Sequence, residues 1–401
     1  MSPSNTSASV AEQPKIVRRS VNLFDLKRQQ ARMHERIEVR IAAVLEHGQF
    51  ILGPEVRELE EKLAEFAGAK HAIAVSSGRD AITMMLMALD VGPGDAVFIP
   101  AFTFSATAGA IMPLGATPVF VDVDPVTFNM EVNDLDRAIR QVQAEGVLTP
   151  KVIMPVDLYG LPADYPAITE IADRHGLIVA ADAAQSVGGG IGDRNVGALA
   201  PISAASFYPT KPLGAYGDGG AVFTQNDDLA EAVRLIRTHG RQGDGDEAIR
   251  LGMTGRLDSI QAAVLLVKLD AFPAELEARN EIAREYNKRL NGIVPTPHIP
   301  DGYRTPFALY TTKLPERDTV RARLQEDGVG TGLFYRIPLH RHPAFKRFVR
   351  DDVPLAVSDR LANEVISLPI HPDLEMDEVA YVVERLEEAI SVRADGQADG
   401  A

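Results

Sequence analysis

The chain has 401 residues, of which 45% are hydrophobic and 24% charged, and its formal net charge is −15. This composition is typical of a soluble globular protein, and the length favours one large domain with a smaller one. The negative charge argues against nucleic acid or an anionic membrane as the main partner. Cysteine is absent, which excludes disulfides, thiolate metal ligands and a cysteine nucleophile. Because we find neither a long apolar run nor a charged-then-apolar amino terminus, we expect no membrane span, no secretory signal and a cytoplasmic location.

Helix and strand patterns alternate along the chain between two polar tails, residues 1–19 and 393–401, which we expect to be disordered. Helices are predicted at 33–47, 55–67, 79–89, 105–112, 133–144 and 165–175, and apolar strands at 72–75, 96–99, 118–121, 152–156, 177–181 and 202–207. This alternation predicts an α/β fold with a mostly parallel sheet covered by helices on both faces. Ligands of such sheets bind beyond the carboxyl ends of the strands.

The last third of the chain predicts a second, smaller unit. An apolar helix at 257–269 is followed by Pro273, which we expect to interrupt it and to form a hinge. Further predictions are a strand at 305–314 and helices at 229–239, 317–327 and 376–390. We therefore expect a large domain over residues 20–270 and a small C-terminal α+β domain over residues 271–392.

One lysine stands in an unusual setting. Lys211 lies between Pro209 and Pro212, where the strand predicted at 202–207 runs into a glycine-dense turn. Such a turn holds a side chain in a fixed direction, so Lys211 is a candidate to form an imine. The alternative is a basic residue in an ordinary loop.

Two other segments that follow strands point to the same chemistry. Ser77 and Gly78 open a helix, where backbone N–H groups can meet a phosphate, although Ser-Ser-Gly is also a common helix cap. Asp182 ends a buried strand, where an acid is costly unless it is paired. It could cap the following helix or hold a protonated ring nitrogen. With Lys211, these are the parts needed to bind pyridoxal phosphate (PLP).

Nearby residues add two further candidates. The hydroxyl of Ser206 could give the phosphate another donor. Phe102 and Phe104 offer aromatic faces that could stack on a flat ring, and their alternative role is core packing.

Histidines are the remaining candidates for a metal site. Their spacing matches no common ligand pattern and no thiolate is available, so we expect no metal. The residues considered are His340, His342 and His371.

Several motifs follow one another in a familiar order. They are 48–55 (GQFILGPE), 92–95 (GPGD), 100–104 (PAFTF), 182–185 (DAAQ), 206–211 (SFYPTK), 217–220 (GDGG), 255–258 (GRLD) and 261–263 (QAA). Over about residues 22–390 the chain resembles the fold-type I, PLP-dependent nucleotide-sugar aminotransferases of the DegT/StrS type. Ordered motifs of this length are a far more specific signal than a lone glycine pattern.

The resemblance implies roles for residues around the cofactor ring. It makes Lys211 the imine lysine and Asp182 the acid that pairs with the pyridine nitrogen. Gln185 matches the amide near the phenolic oxygen of the ring, and Phe104 matches the aromatic side chain that stacks on it.

For the cofactor phosphate, the resemblance implies contacts from Ser206 and from the backbone at Ser77 and Gly78. Two residues depart from the family pattern. Arg79 stands where relatives commonly have threonine, and it could contact the phosphate or point outward. Thr254 stands where relatives usually have an asparagine that crosses the dimer interface, and threonine is shorter.

On the substrate side, the resemblance implies three more residues. Arg256 matches a position that reaches the substrate from the second subunit in relatives acting on acidic amido-sugars. Tyr335 and His340 fall in the substrate-side segment.

The function implied is that of a homodimeric aminotransferase that moves an amino group from L-glutamate to a nucleotide-linked keto-sugar. The sequence at 255–258 and 337–340 favours amination at C3 of a UDP-acetamido sugar over amination at C4 of a UDP- or dTDP-keto-sugar. Other possibilities are a PLP-dependent sugar dehydratase and a non-catalytic regulator on the same fold. Dehydratases carry histidine at the lysine position, so Lys211 argues against the first. Lys211 together with Asp182 argues against the second.

Overall fold

The computed structural model describes residues 19–242, 246–350 and 353–398. We expect both tails to be disordered. Residues 1–18 and 399–401, which make up most of them, lie outside the described residues. Residues 393–398 belong to the backbone of the last helix, which is longer than the predicted 376–390.

Strands and helices alternate through the first part of the chain, as predicted. The strands are β1 (His71–Val75), β2 (Asp95–Pro100), β3 (Thr117–Val121), β4 (Thr149–Ile153), β5 (Ile178–Asp182), β6 (Gly190–Ile191), β7 (Arg194–Asn195), β8 (Ile202–Ser206), β9 (Gly220–Thr224), β10 (Tyr303–Arg304), β11 (Tyr310–Lys313) and β12 (Val365–Leu368). The α-helices are α1 (Leu26–His47), α2 (Pro54–Ala67), α3 (Gly78–Ala88), α4 (Ser105–Ile111), α5 (Val132–Glu145), α6 (Tyr165–His175), α7 (Asp227–Arg237), α8 (Ser259–Leu290), α9 (Arg317–Glu326), α10 (Ala356–Glu364) and α11 (Met376–Ala398).

The central sheet has seven strands in the order β1-β9-β8-β5-β4-β2-β3. Adjacent strands from β8 to β3 are parallel to one another, whereas β9 pairs antiparallel with both β1 and β8. This confirms the predicted α/β fold with a mainly parallel sheet. Because β5 and β8 are adjacent and parallel, their carboxyl ends emerge at the same edge.

Helices cover both faces of the sheet, and successive residues of one strand show why. In β2, Val97 and Ile99 pack into one buried cluster, whereas Ala96 and Phe98 pack into another on the opposite face. A strand buried on both faces reads as a continuous apolar run, which is the pattern found in the sequence.

A two-stranded antiparallel sheet, β11 with β12, lies in the C-terminal part of the chain. Its core includes Tyr286 of α8, Leu324 of α9 and Leu386 of α11. The strand predicted at 305–314 is extended in the sheet only over Tyr310–Lys313.

The prediction that Pro273 interrupts a helix is wrong, because Pro273 lies inside the continuous helix α8. A proline removes one helical hydrogen bond and costs about 3 kcal/mol in a helix interior. Burial offsets this cost, since Leu265, Leu266 and Phe272 of the same helix are fully buried. The predicted domain boundary at residue 270 therefore falls within a helix.

A buried carboxylate joins the central sheet to α10. Asp122, which follows β3, accepts hydrogen bonds from the backbone N–H groups of Val357 and Ser358 and from the Ser358 hydroxyl, at 2.9, 2.8 and 2.6 Å. An acid at a helix N-terminus satisfies backbone donors that have no partner within the helix. This bond set fixes the C-terminal part against the sheet.

Among the described residues, none of the helices combines the length and the hydropathy needed to cross a bilayer.

Candidate active site

Lys211 is held by a tight turn that follows β8. The turn closes through two backbone hydrogen bonds of 2.8 Å, from the Lys211 N–H to the Tyr208 carbonyl and from the Ala215 N–H to the Phe207 carbonyl. The neighbouring prolines remove backbone freedom on both sides of the lysine. The lysine is therefore presented from a rigid turn at the carboxyl edge of the sheet.

Burial changes the acid–base behaviour of Lys211. It lowers the pKa of the Lys211 amine to about 8, and the negative charge of Asp182 only partly opposes this shift. A buried amine loses proton affinity because the charged form is poorly solvated. A substantial share of Lys211 is therefore neutral and nucleophilic near neutral pH.

Asp182 ends β5 and is 4% exposed. Its carboxylate accepts hydrogen bonds from the Thr107 hydroxyl at 2.8 Å and from the Ala184 N–H at 3.2 Å. Burial raises the pKa of Asp182, and these two donors oppose the shift. Residues 184–188 form a turn, so Asp182 does not cap an α-helix there.

Gln185 links two tyrosines. Its Oε1 accepts a hydrogen bond from the Tyr159 N–H at 2.7 Å, and its Nε2 donates to the Tyr335 hydroxyl at 3.2 Å. The Tyr335 ring in turn lies 5.8 Å from the ring of Phe104. The structure thus brings Gln185, Tyr335 and Phe104 together. Phe102 is fully buried, and its ring lies 6.5 Å from the same Tyr335 ring in an edge-on arrangement.

A cavity lies beside the lysine. Its wall contains Lys211 and Gln185, together with the substrate-side residue Tyr335. The cavity is lined by Phe24, Gln185, Thr210, Lys211, Ala308, Leu309, Phe334 and Tyr335.

The first turn of α3 packs tightly against the end of β8. A Cβ atom on Gly78 would lie only 2.5 Å from the Ser206 Cβ, so the approach requires glycine. Ser77 caps the helix by accepting a hydrogen bond from the Asp80 N–H at 3.1 Å. The first N–H groups of a helix have no partner within the helix, and together with the Ser206 hydroxyl they are donors that could hold a phosphate, a group that we call the phosphate cradle.

The two residues that depart from the family pattern have partners of their own. Arg79 is exposed, and its Nη2 donates to the Gly109 carbonyl on α4 at 3.1 Å. Thr254 is also exposed, and its hydroxyl lies 3.4 Å from Nε2 of His239. Among the described residues, neither side chain forms a hydrogen bond with Ser77, Gly78 or Ser206.

Arg256 lies close to the phosphate cradle. Its backbone forms an isolated antiparallel bridge with Val75, the last residue of β1, and the preceding Gly255 carbonyl accepts from the Ser76 N–H at 3.1 Å. The Met84 side chain packs directly over Gly255, since a Cβ atom there would lie 1.8 Å from the Met84 Cε. The Arg256 side chain is half-buried and makes no ion pair with the described residues.

His340 lies elsewhere. Its ring is buried, its Nε2 is 3.0 Å from an Asp359 carboxylate oxygen, and burial lowers its pKa. The structure therefore places His340 against α10 and not in the wall of the Lys211 cavity. No cluster of three or more metal-ligating side chains is found in the described parts of the chain.

Sequence reasoning missed several residues of this site. Thr107, Tyr159 and Thr210 contact or flank the candidates named above, and Phe24 lines the same cavity. Their types are unremarkable, and they approach the site only through the fold. Only the position of Thr210 beside Lys211 offered a signal in the sequence.

The residues present fit PLP. A buried carboxylate can hold a ring proton, a partly neutral lysine can bind an aldehyde carbon, and the Gly78–Ser206 contact leaves a backbone cradle for a phosphate.

Comparisons with known proteins identify the family of the chain. Residues 31–387 match the DegT/DnrJ/EryC1/StrS aminotransferase family. The chain is 44% identical to the UDP-2-acetamido-2-deoxy-3-oxo-D-glucuronate aminotransferase of Pseudomonas aeruginosa, over 90% of this chain and 98% of the relative. It is 41% identical to a pleiotropic regulatory protein of Geobacillus stearothermophilus, over 92% and 98%.

Solved structures match over the same range. A DegT DnrJ EryC1 StrS aminotransferase from Brucella abortus is 45% identical, with a TM-score of 0.90 over 92% of this chain and 98% of that one. NtdA from Bacillus subtilis, solved with the bound cofactor PMP, is 30% identical, with a TM-score of 0.84 over 93% and 85%.

We predict that Lys211 is unusually reactive in protein freed of cofactor. With a pKa of about 8, roughly a quarter of the amine is neutral at pH 7.5, against about 0.1% of an ordinary lysine. Pulse acylation followed by peptide mass spectrometry should therefore show fast labelling of Lys211 that rises with pH through about 8. Lys268 is the matched comparison, because its pKa is also lowered to about 8 while it is only 1% exposed. Lys268 should stay unlabelled, and labelling of Lys211 no faster than that of exposed Lys70 would contradict the pKa.

We also predict that Gly78→Ala disrupts the cradle. The added methyl group would collide with Ser206, and overpacking of this kind costs about 1–3 kcal/mol in the free energy of unfolding. Urea unfolding and titration of the apoprotein with PLP should show lower stability and weaker binding. Gly92→Ala is the control, since a Cβ there has no atom within 4 Å. Equal behaviour of the two variants would show that the close approach does not matter.

Proposed function

We propose that this chain, which belongs to the DegT/DnrJ/EryC1/StrS aminotransferase family, moves an amino group from L-glutamate to C3 of a UDP-linked acetamido-3-keto sugar. Family membership makes the chain a PLP-dependent aminotransferase. The observation that carries the proposal is the convergence of Lys211, Asp182 and Gln185 on one edge of the sheet, in a chain 44% identical to a UDP-2-acetamido-2-deoxy-3-oxo-D-glucuronate aminotransferase.

In this proposal Lys211 is both nucleophile and base. PLP, when bound, supplies an electron sink for the carbanion formed at the amino donor. Because burial lowers the pKa of Lys211 to about 8, its Nζ can accept a proton from the donor α-carbon and release it again. The same amine serves the donor and the acceptor half-reactions, so the kinetics are ping-pong.

The other cofactor residues act by holding it. Asp182 in its ionised form keeps a proton on the ring nitrogen, and a bond of this kind contributes about 1.5–3 kcal/mol. Gln185 would hold the ring near its phenolic oxygen, and Phe104, which is 54% exposed, would stack on the ring. Ser206, with the backbone of Ser77 and Gly78, would hold the phosphate. Arg79 and Thr254 flank this cradle.

The acceptor is a sugar acid in this proposal. The name of the Pseudomonas aeruginosa relative specifies a glucuronate, whose carboxylate needs a cationic partner. Arg256 lacks an ion pair within the described chain, and guanidinium groups bind carboxylates in a two-pronged geometry. Tyr335, in the cavity wall, orients the sugar. His340 supports the segment that carries Tyr335.

A homodimer explains how Arg256 reaches the acceptor. Large apolar side chains are exposed near the start of α8: Phe50 and Ile51 are 47% exposed and Tyr216 is 36% exposed. Ile51 pairs with the backbone of Asp258, so this patch lies beside Arg256. Exposed apolar patches rich in aromatic residues are typical of subunit interfaces. A second copy would cover the patch and bring the partner subunit's Arg256 to the site.

We predict that L-glutamate alone converts the bound cofactor to its aminated form, seen as loss of the visible PLP absorbance, and that 2-oxoglutarate reverses the change. Lys211→Ala should slow this half-reaction by more than about 100-fold, because general-base catalysis contributes about 10²–10⁴-fold. Lys346→Ala is the control, because this lysine is exposed and its side chain makes no hydrogen bond with the residues that the structure describes. Conversion by other amino acids but not by glutamate would remove the donor assignment. Conversion by no amino donor would favour a regulatory role.

We predict that a panel of UDP-, dTDP- and GDP-linked 3-keto and 4-keto sugars gives the highest kcat/KM with a UDP-2-acetamido-3-keto uronate, and that NMR of the product places the amine on C3. Arg256→Ala should lower kcat/KM about 10- to 100-fold for the uronate, the range expected for a hydrogen-bonded charge, and little for the matching sugar with a neutral C6. Equal losses on both sugars would show that Arg256 does not bind the carboxylate.

Mixed dimers test whether Arg256 acts across the interface. One subunit would carry Lys211→Ala and the other Arg256→Ala, so each parent dimer is impaired. If Arg256 acts from the partner subunit, one of the two sites in the mixed dimer is intact, and random exchange restores about a quarter of wild-type activity. Absence of restoration would place Arg256 in the site of its own chain.

A further inference from the structure

Thr107 is the side chain that touches the Asp182 carboxylate most closely, yet it has no part in the reaction proposed above. It is the third residue of α4, it is fully buried, and its hydroxyl donates to Asp182 Oδ2 at 2.8 Å. Among the described residues, no other side chain donates a hydrogen bond to this carboxylate. The remaining donor is the Ala184 backbone N–H, on the other oxygen, at 3.2 Å.

The hydrogen bonding around Thr107 has a fixed direction. A hydroxyl has one proton to donate, and Thr107 gives it to Asp182. The hydroxyl of Thr103 lies 3.3 Å from that of Thr107 and is 2% exposed. Because the Thr107 proton is already engaged, Thr103 must be the donor of this second bond. The result is a directed chain from Thr103 through Thr107 to Asp182.

This chain acts on the charge of Asp182. Burial raises the pKa of Asp182, and the Thr107 hydrogen bond opposes that shift more strongly than the Ala184 N–H or the charge of Lys211 does. The other titratable groups that face Asp182 are Asp157, Tyr165 and Tyr335, and each of them interacts with it unfavourably when ionised. Thr107 is therefore the main side chain that favours the ionised carboxylate.

We propose that Thr107 is a positioning residue of the active site, which holds Asp182 ionised and fixes its carboxylate so that free lone pairs remain for the cofactor ring nitrogen. The inference rests on the role proposed for Asp182. A neutral Asp182 cannot stabilise a proton on that nitrogen, so loss of the Thr107 hydroxyl weakens the hold on the cofactor even when packing is preserved. Each Asp182 oxygen has one donor at present, which leaves acceptor capacity on both.

The test compares Thr107→Val, which keeps the shape and removes the hydroxyl, with Thr107→Ser, which keeps the hydroxyl. PLP binding to each apoprotein is measured by titration between pH 5 and 9, and the pH dependence of the absorbance of bound PLP is recorded. Thermal unfolding reports the fold. The matched control is Thr83→Val, because the Thr83 hydroxyl donates to the Ala110 carbonyl on the same helix α4 at 3.4 Å and not to Asp182.

We expect Thr107→Val to weaken PLP binding about 10- to 100-fold, the range for a hydrogen bond to a charged group. The affinity for PLP depends on ionised Asp182, so this affinity is lost as the pH falls through the pKa of Asp182. Thr107→Val raises that pKa, and the acidic limb of the binding curve should move to higher pH. Thr107→Ser and Thr83→Val should stay within about threefold of wild type.

An Asp182→Asn background separates positioning from packing. There, Thr107→Val should cause no further loss, since the carboxylate it serves is gone. The inference is overturned if Thr107→Val binds PLP with wild-type affinity and pH profile, if Thr107→Ser is as weak as Thr107→Val, or if the loss is equal in the Asp182→Asn background. Should Thr107→Val fail to fold, Thr103→Val must move the acidic limb in the same direction, and an unmoved limb overturns the inference. These readouts use neither glutamate nor sugar, so they stand apart from the donor and acceptor assignments.

Discussion

The site depends on Asp182, which is buried, and Lys211, which is half-buried, two groups of opposite charge that the fold holds at one edge of a parallel sheet. Burial raises the pKa of Asp182 and lowers that of Lys211, so desolvation pushes both groups towards their neutral forms. Their mutual attraction opposes this shift, but a lone buried pair rarely recovers its full desolvation cost. The surrounding hydrogen bonds therefore decide the outcome: Asp182 receives two donors, whereas the Lys211 amine is left to titrate. The two donors favour the ionised form of Asp182, and the lowered pKa of Lys211 favours a reactive amine.

A second constraint is the close approach of backbone segments at the phosphate cradle. A Cβ atom on Gly78 would collide with Ser206, and one on Gly220 would lie 2.6 Å from the Ser77 carbonyl carbon. These glycines are needed for space and not for a left-handed conformation. The Ser-Ser-Gly and Gly-Asp-Gly-Gly motifs therefore follow from packing. The start of α3 can reach the end of β8 only if both contacts are free of side-chain carbons.

The elements that the sequence predicts best are those specified locally. The apolar runs of the central sheet and a turn such as that of Lys211 can be read from neighbouring residues, because buried parallel strands and proline-flanked turns have local signatures. The contact between Thr107 and Asp182, 75 residues apart, has no such signature. At Pro273 the local signal misled the prediction: the proline predicted a helix break, but tertiary burial keeps the helix intact. Distance along the chain thus limits prediction of the site more than the type of residue does.

The substrate side of the cavity has a different origin from the cofactor side. The cofactor candidates stand on strands and turns of the sheet, whereas Tyr335 and Phe334 come from a segment beyond α9 and meet the sheet through Gln185 and Tyr159. Gln185 therefore contacts both groups of residues. The Gln185 amide binds the Tyr159 backbone at one end and Tyr335 at the other. A change in the segment that carries Tyr335 can therefore alter the contacts of Gln185 with the cofactor ring without moving a strand. The sheet can keep the chemistry constant while the C-terminal segment changes the sugar that is accepted.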